Sequence, residues 1–278
     1  MMQKNNPQHS SMHNKNNYER KKLIKDLLSE NEYLSVKSIA KLIYASQATV
    51  RRELNALQAE GIVKRTRGGA TLAADTQEEW AFEARDNIMK SEKRSIAAAC
   101  AKFIKNGSSV FLDSSSTAGN VIPFLSAKEG VTVVTNGVKT ALLASKYKNI
   151  EVFVLGGKLL SYSNSIVGSK TISEILNYRF DYALLSASGL DQTGVFTDNN
   201  AEQAQIKRAV AERSTNVFML VDSSKVGSTY MNVTLPSQKV TAVFCDRELP
   251  LDIKRVFDEH SVQVIISDKT AKNPSISS

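Results

Sequence analysis

Seven short apolar runs, each closed by small or acidic polar residues and separated by stretches of varied length, set the fold of most of this chain. They are SSVFLD (108–113), VTVVTN (131–136), EVFVLGG (151–157), YALLSASG (182–189), NVFMLVDSS (216–224), VTAVFCD (240–246) and VQVIISD (262–268). Their Val, Leu and Phe content leaves no polar face, as expected of strands buried on both sides. Between them lie helical patterns such as KRSIAAACAKFI, VKTALLASKY and AEQAQIKRAVAER. Strands alternating with helices predict an α/β domain, a mostly parallel sheet with helices on both faces. No repeat of fixed period is present.

The residues that close the strands carry the function. The runs end in Asp113-Ser114-Ser115-Ser116-Thr117, Thr135-Asn136-Gly137, Gly156-Gly157, Ser186-Ala187-Ser188-Gly189 and Asp222-Ser223-Ser224-Lys225. In an open α/β sheet these carboxyl ends share one edge, where ligands bind. Small and hydroxyl residues let backbone amides close on an anion, and a helix starting after Ser-Ser-Ser-Thr would add its dipole. Lys225 adds a formal charge. The combination points to a phosphorylated small molecule. Any one of these loops is also ordinary turn chemistry; five on one edge are harder to explain that way.

The first quarter of the chain is of another kind. Residues 1–75 hold 13 Lys and Arg against 7 Asp and Glu, so most of the net charge of +8 lies there. YERKKLIKDLLSE places Leu23, Ile24, Leu27 and Leu28 on one helical face. Ser35 reads as an N-cap before a short helix with Val36, Ile39, Ala40 and Ile43 inward. After a break at Tyr44–Ala45, Ser46 caps a second helix from about Gln47 to Gln58, ending before Gly61. That is a helix-turn-helix layout. In the second helix Val50, Leu54 and Leu57 face the core, so Ala48, Arg52 and Asn55 point away with Arg51 on the flank. Arginine can grip guanine O6 and N7, and asparagine can do the same for adenine. GIVKRTRGGA then reads as a basic hairpin, a wing whose Lys64, Arg65 and Arg67 would meet phosphates or a minor groove. Gln47, Ala48, Thr49, Arg51, Arg52, Asn55, Lys64, Arg65 and Arg67 are the candidate contacts to double-stranded DNA.

Other chemistries find little support. No apolar run reaches the ~18 residues of a membrane span. The N-terminal MMQKNNPQHSSMHNKNN reads as a disordered polar tail, with His9 and His13 as tail residues. Cys100 and Cys245 sit in apolar contexts and read as buried thiols, which fits a reducing cytoplasm. There is no Gly-x-x-x-x-Gly-Lys-Ser/Thr stretch and no zinc-spaced Cys/His cluster. His260 reads as structural, so a histidine-dependent triad is not expected, and neither a metal nor a cofactor is called for. Trp80 and Phe82 read as anchors of the segment between the domains.

Along residues 18–268 the chain resembles the DeoR-type bacterial transcriptional regulators. The matching stretches, in order, are ASQATVRREL, RTRGGA, EWAFEAR, KRSIA, DSSST, VVTNG, LGG, IVG, DNNAEQAQIKRA and VDSSKVG. The resemblance implies a winged helix-turn-helix domain joined to a larger Rossmann-like α/β sensor domain similar to sugar-phosphate isomerases. It also implies a phosphorylated sugar as effector and a homo-oligomer, dimer or tetramer. Carried over by position, DSSST becomes the phosphate loop, with Asn136, Gly156, Asp222 and Lys225 around the ligand. Two positions depart from the pattern: Arg67 stands where histidine is frequent and Glu53 where aspartate is usual, the latter preserving a charge partner for nearby arginines.

The domains expected are a polar tail (1–17), the winged helix-turn-helix domain (18–73), a linker (74–92), the effector-binding domain (93–268) and a second polar tail (269–278). The function expected is a cytoplasmic DNA-binding regulator, a repressor of a carbohydrate operon, without catalytic residues. The competing reading is a sugar-phosphate isomerase or deaminase with an attached DNA-binding domain, in which Asp113 and Asp191 would move protons. Against it, the lysine- and glycine-rich loop of such isomerases is missing, and Asp191 in GLDQTG also suits a turn.

Overall fold

The computed structural model describes residues 19–28, 31, 33–59, 62–66, 68–72 and 82–268. Both polar tails, His9, His13, Gly61, Arg67 and Trp80 lie outside the described residues. The chain divides into two compact units, Met1–Ala84 and Arg85–Ser278.

In the first unit, helix α1 covers residues 19–28, α2 is Val36–Leu42 and α3 is Gln47–Ala59. Ser35 caps α2 by accepting from the Ser38 amide at 3.0 Å, and Ser46 does the same for α3 from Thr49 at 3.1 Å. Between the helices Tyr44 takes a left-handed φ of 52° and the Ala45 amide returns to the Ala40 carbonyl at 3.0 Å, which ends α2. Ile24, Leu28, Val36, Ile39, Val50, Leu54 and Leu57 form the core with Ile62, Val63 and Ala70. Leu23 departs from the expected inward face and is 51% exposed. The i, i+4 pair Ile24 and Leu28 already fills the seam, and Leu23 lies about 100° away from Ile24 on the helix.

The wing is β2 (Val63–Thr66) paired antiparallel with β3 (Gly69–Leu72), and a two-residue strand β1 (Leu34–Ser35) pairs with the other edge of β3. That third strand explains the double glycine. Gly68 turns with φ +83°, whereas a Cβ on Gly69 would lie 2.3 Å from the Leu34 carbonyl oxygen. One glycine serves the turn and the other the close approach of β1.

The second unit opens with α4 (Phe82–Asn87, which crosses the boundary) and α5 (Lys90–Ala101). β4 (Ser109–Leu112), short helices α6 (Ser116–Gly119) and α7 (Ile122–Leu125), β5 (Thr132–Thr135), α8 (Val138–Ala144) and β6 (Glu151–Val154) follow. A hairpin, β7 (Lys158–Leu160) and β8 (Ser165–Val167), precedes α9 (Ser169–Ile175) and β9 (Phe180–Leu185). The rest is β10 (Gly189–Leu190), β11 (Phe196–Asp198), α10 (Ala201–Glu212), β12 (Ser214–Val221), β13 (Asn232–Leu235), β14 (Ala242–Cys245), α11 (Leu251–Glu259) and β15 (Gln263–Ile266). All seven apolar runs became the strands of one parallel sheet, ordered β15-β14-β12-β9-β4-β5-β6. Strand alternation feeds two cores. Along β12, Val217, Met219 and Val221 enter one, while Phe218 and Leu220 enter the other. Each such side chain contributes roughly 1.5–3 kcal/mol on burial.

The strand order locates the functional edge. From β4 the chain winds outward through β5 and β6, then returns to the other side of β4 with β9 and winds the opposite way. The loops after β4 and β9 therefore part at their carboxyl ends, leaving the crevice where open α/β sheets bind ligands. Cys100 and Cys245 are buried free thiols, and burial pushes both up, Cys245 to about 11. His260 is the C-cap residue of α11 and bonds Ser237 Oγ at 2.7 Å.

Candidate functional site

Helix α3 turns its apolar stripe inward and leaves Gln47, Ala48, Arg51, Arg52 and Asn55 exposed; Thr49 is half-buried, its Oγ1 2.9 Å from Ser46 Oγ. Glu53, 5% exposed, accepts from Arg20 Nη2 of α1 at 3.1 Å and from its Nε at 3.2 Å. The carboxylate thus pins α1 to α3 through Arg20. In the wing, Val63 is buried, Lys64 exposed and Arg65 half-buried, the alternation of a strand with one face on α3. Two of the wing cations predicted as one group are therefore divided: Lys64 faces solvent, and Arg65 Nη1 donates to Asn55 Oδ1 of α3 at 2.6 Å. The result is a basic helix face and a basic hairpin edge within one small unit.

At the crevice of the second unit, Asp113 organises the loops. Its Oδ1 accepts from the Ser115 amide at 2.9 Å and its Oδ2 from the Ser186 amide at 2.8 Å, tying the β4 loop to the β9 loop. Ser186 Oγ accepts from Lys225 Nζ at 3.0 Å and donates to the Leu220 carbonyl at 2.7 Å. Asp222 takes the Ser224 amide at 3.2 Å and stands 4.0 Å from Lys225 Nζ. Across β5, Thr135 Oγ1 donates to the Leu112 carbonyl at 2.7 Å, and Asn136 Nδ2 donates to Ser165 Oγ at 3.2 Å and to the Ile166 carbonyl at 3.0 Å. Ser114 Oγ reaches the same Ser165 Oγ at 2.9 Å. A Cβ on Gly137 would lie 2.8 Å from Ser114 Cα, so glycine is what lets the β5 loop approach the serine run.

Two features of this arrangement depart from the expectation drawn from the sequence. Helix α6 has four residues, with Ser115 Oγ capping it from the Ala118 amide at 3.1 Å. One turn sums few peptide dipoles, so the expected dipole contribution is small. Positive charge comes instead from Lys93 of α5, 3% exposed, whose Nζ donates to Ser116 Oγ at 3.1 Å and to the Arg85 carbonyl. Burial, with help from the Lys225 charge, lowers the Lys93 ammonium to about 8 against the pull of Asp222 and Asp86. Burial likewise pushes Lys225 down against Asp222. Sequence reasoning passed over Lys93, although it shares a helical face with Ile96, Ala97 and Cys100, all buried. A lysine on an apolar stripe was the available signal.

Gly156 and Gly157 point elsewhere. The Gly156 amide donates to Glu174 Oε2 at 2.9 Å and its carbonyl accepts from Thr171 Oγ1 at 2.9 Å, both on α9, and it borders a surface depression with Lys170, Ser173 and Asn177. A Cβ on Gly157 would lie 2.1 Å from Thr171 Oγ1. Their hydrogen bonds and packing lead to α9. Within the crevice, Thr117 Oγ1 and Asn136 Oδ1 are buried without hydrogen-bond partners among the described residues.

Residues 20–76 match the DeoR-like helix-turn-helix domain, and residues 88–247 match the DeoR C terminal sensor domain. The chain belongs to the DeoR family. This DeoR-family protein is 29% identical over 240 residues to the glycerol-3-phosphate regulon repressor of Escherichia coli K12, covering 86% of this chain and 94% of the relative. The transcriptional repressor GlcR of Bacillus subtilis 168 is 29% identical over 251 residues, 90% of this chain and 96% of the relative. The uncharacterized regulator YulB of the same organism is 31% identical over 242 residues, 87% and 93%. The chain is accordingly a DNA-binding transcriptional regulator with a sensor domain, and among the described residues no helix is long and apolar enough to cross a membrane.

Proposed function

We propose that this DeoR-family chain represses a carbohydrate-metabolism operon from the cytoplasm, as a homo-oligomer on double-stranded operator DNA, and that a phosphorylated sugar bound at the β4–β9 crevice controls it. One observation carries the reading: two lysines, Lys93 and Lys225, converge with the Ser114–Thr117 run on a crevice where Thr117 Oγ1 and Asn136 Oδ1 lack partners among the described residues. Lys93 is buried and Lys225 half-buried, and Asp222 and Asp86 offset their charge only in part, so an added anion is favourable there. A phosphate supplies that charge, and charge-assisted bonds to lysine and serine would hold it.

The enzyme reading loses its candidates for proton transfer. Asp113 is engaged by two backbone amides, and Asp191 Oδ1 accepts from the Thr193 amide and hydroxyl at 2.8 Å each and from the Val195 amide at 3.0 Å. Carboxylates held this way brace the turns that contain them. The test is a DNA-binding titration and a thermal melt with a panel of sugar phosphates, with inorganic phosphate alone as control. At least one sugar phosphate should raise the melting temperature and change operator affinity without being consumed. Turnover of any of them, or no response to the whole panel, would sink the proposal.

A further inference from the structure

The hydrogen bond between wing and recognition helix fixes what Asn55 can read. Arg65 Nη1 donates to Asn55 Oδ1 at 2.6 Å. A guanidinium has five N–H donors and no acceptor, so the Asn55 amide must turn its oxygen to Arg65 and its nitrogen away. Bidentate recognition of adenine requires both ends of the amide, the oxygen for N6–H and the nitrogen for N7. With Oδ1 held against the guanidinium, a second donor such as adenine N6–H would be brought against a positive charge. Apart from the second lone pair of Oδ1, which lies beside that charge, the groups left over, Asn55 Nδ2 and the remaining N–H groups of Arg65, are donors.

The surroundings reinforce this. Asn55 is exposed on α3, one turn beyond Arg51 and Arg52. Arg65 is placed by strand alternation on the face of β2 that packs toward α3, opposite Ala70, which is fully buried. Its Nε is buried without a partner among the described residues, so any contact to a base falls to its terminal N–H groups. We propose that Asn55 and Arg65 act as one unit presenting mainly donors, which reads the N7 and O6 acceptors of a guanine in the major groove, in place of the adenine that an isolated asparagine would favour. The inference rests on the DNA-binding reading and adds a base to it.

The experiment selects binding sites from random duplex DNA with the full chain, as wild type, Asn55→Ala, Arg65→Ala and the double variant, each checked by thermal melting. Wild type should enrich a guanine at one position of each half-site. Both single variants should flatten preference at that same position by about fivefold or more, the lower range for a bidentate base contact. The double variant should add little to either. If Arg65→Ala destabilises the unit, Arg65→Lys keeps the charge, loses the planar fork and should flatten the same position. An adenine at the position that Asn55→Ala flattens would overturn the inference, as would single variants acting at different positions or at none. Wild type enriching no sequence at all would overturn the DNA reading, and this inference with it.

Discussion

Replacing Lys93 by methionine should separate stability from sensing. The side chain is almost fully buried, and its ammonium is lowered from 10.5 to about 8, with burial as the first cause. At about 1.4 kcal/mol per pKa unit, the charged form is about 3 kcal/mol less favourable in the fold than in the unfolded chain at neutral pH. Methionine fills a similar volume without charge, so that penalty disappears. Against it, Ser116 Oγ and the Arg85 carbonyl each lose a donor, at about 1 kcal/mol apiece. The balance is a gain of about 1 kcal/mol for the ligand-free protein, or a few degrees of melting temperature. The same substitution removes a cation from the crevice, so any sugar phosphate that stabilises wild type should stabilise Lys93→Met far less. Differential scanning fluorimetry with and without ligand reads both effects. A ligand-free variant that melts several degrees lower, while retaining the full ligand response, would refute the reasoning, because Lys93 would then be a structural lysine.

The same geometry sets three further outcomes. The lowered Lys93 pKa makes ligand-free stability rise with pH between about 8 and 10.5, where the unfolded lysine still holds its proton and the folded one has lost it; over the same window sugar-phosphate affinity should fall, and calorimetric titrations of Lys93→Met should show a weaker dependence. Gly137→Ala should lower the stability read from chemical denaturation by about 1–3 kcal/mol, because its Cβ would lie 2.8 Å from Ser114 Cα and 2.7 Å from Thr140 Oγ1, while Gly119→Ala, with its nearest neighbour at 3.7 Å, should change little. Glu53→Ala should destabilise the first unit by about 2 kcal/mol, less than for a fully buried pair since the Arg20 side chain is 22% exposed, and amide exchange in α1 and α3 would reveal no change if the pair were idle.

By itself the sequence determined the elements whose signal is local. Apolar runs dense in Val, Leu and Phe read as strands of a covered sheet, and all seven entered one parallel sheet, although the edge strands β6 and β15 keep exposed residues. Val50, Leu54 and Leu57 at helical spacing, with serine caps before α2 and α3, settled the helix-turn-helix, because capping and periodicity act within a few residues. Elements built from two or three residues carried no such signal: β1, β10 and the β7–β8 hairpin exist because a neighbouring strand offers backbone partners. The tertiary structure also decided which loops meet. Strand order set β9 beside β4 and joined Asp113 to Ser186, residues far apart in the chain, while Gly156 was drawn to Glu174 of α9. Lys93 shows the same division. Its helical face was readable from spacing, but that its ammonium ends on Ser116 depends on where α5 crosses the sheet, and long-range packing is not written in any local window. Asn55 and Arg65 were each visible as candidate DNA contacts; only the fold of the wing against α3 brought them within hydrogen-bond distance and so changed what either can recognise.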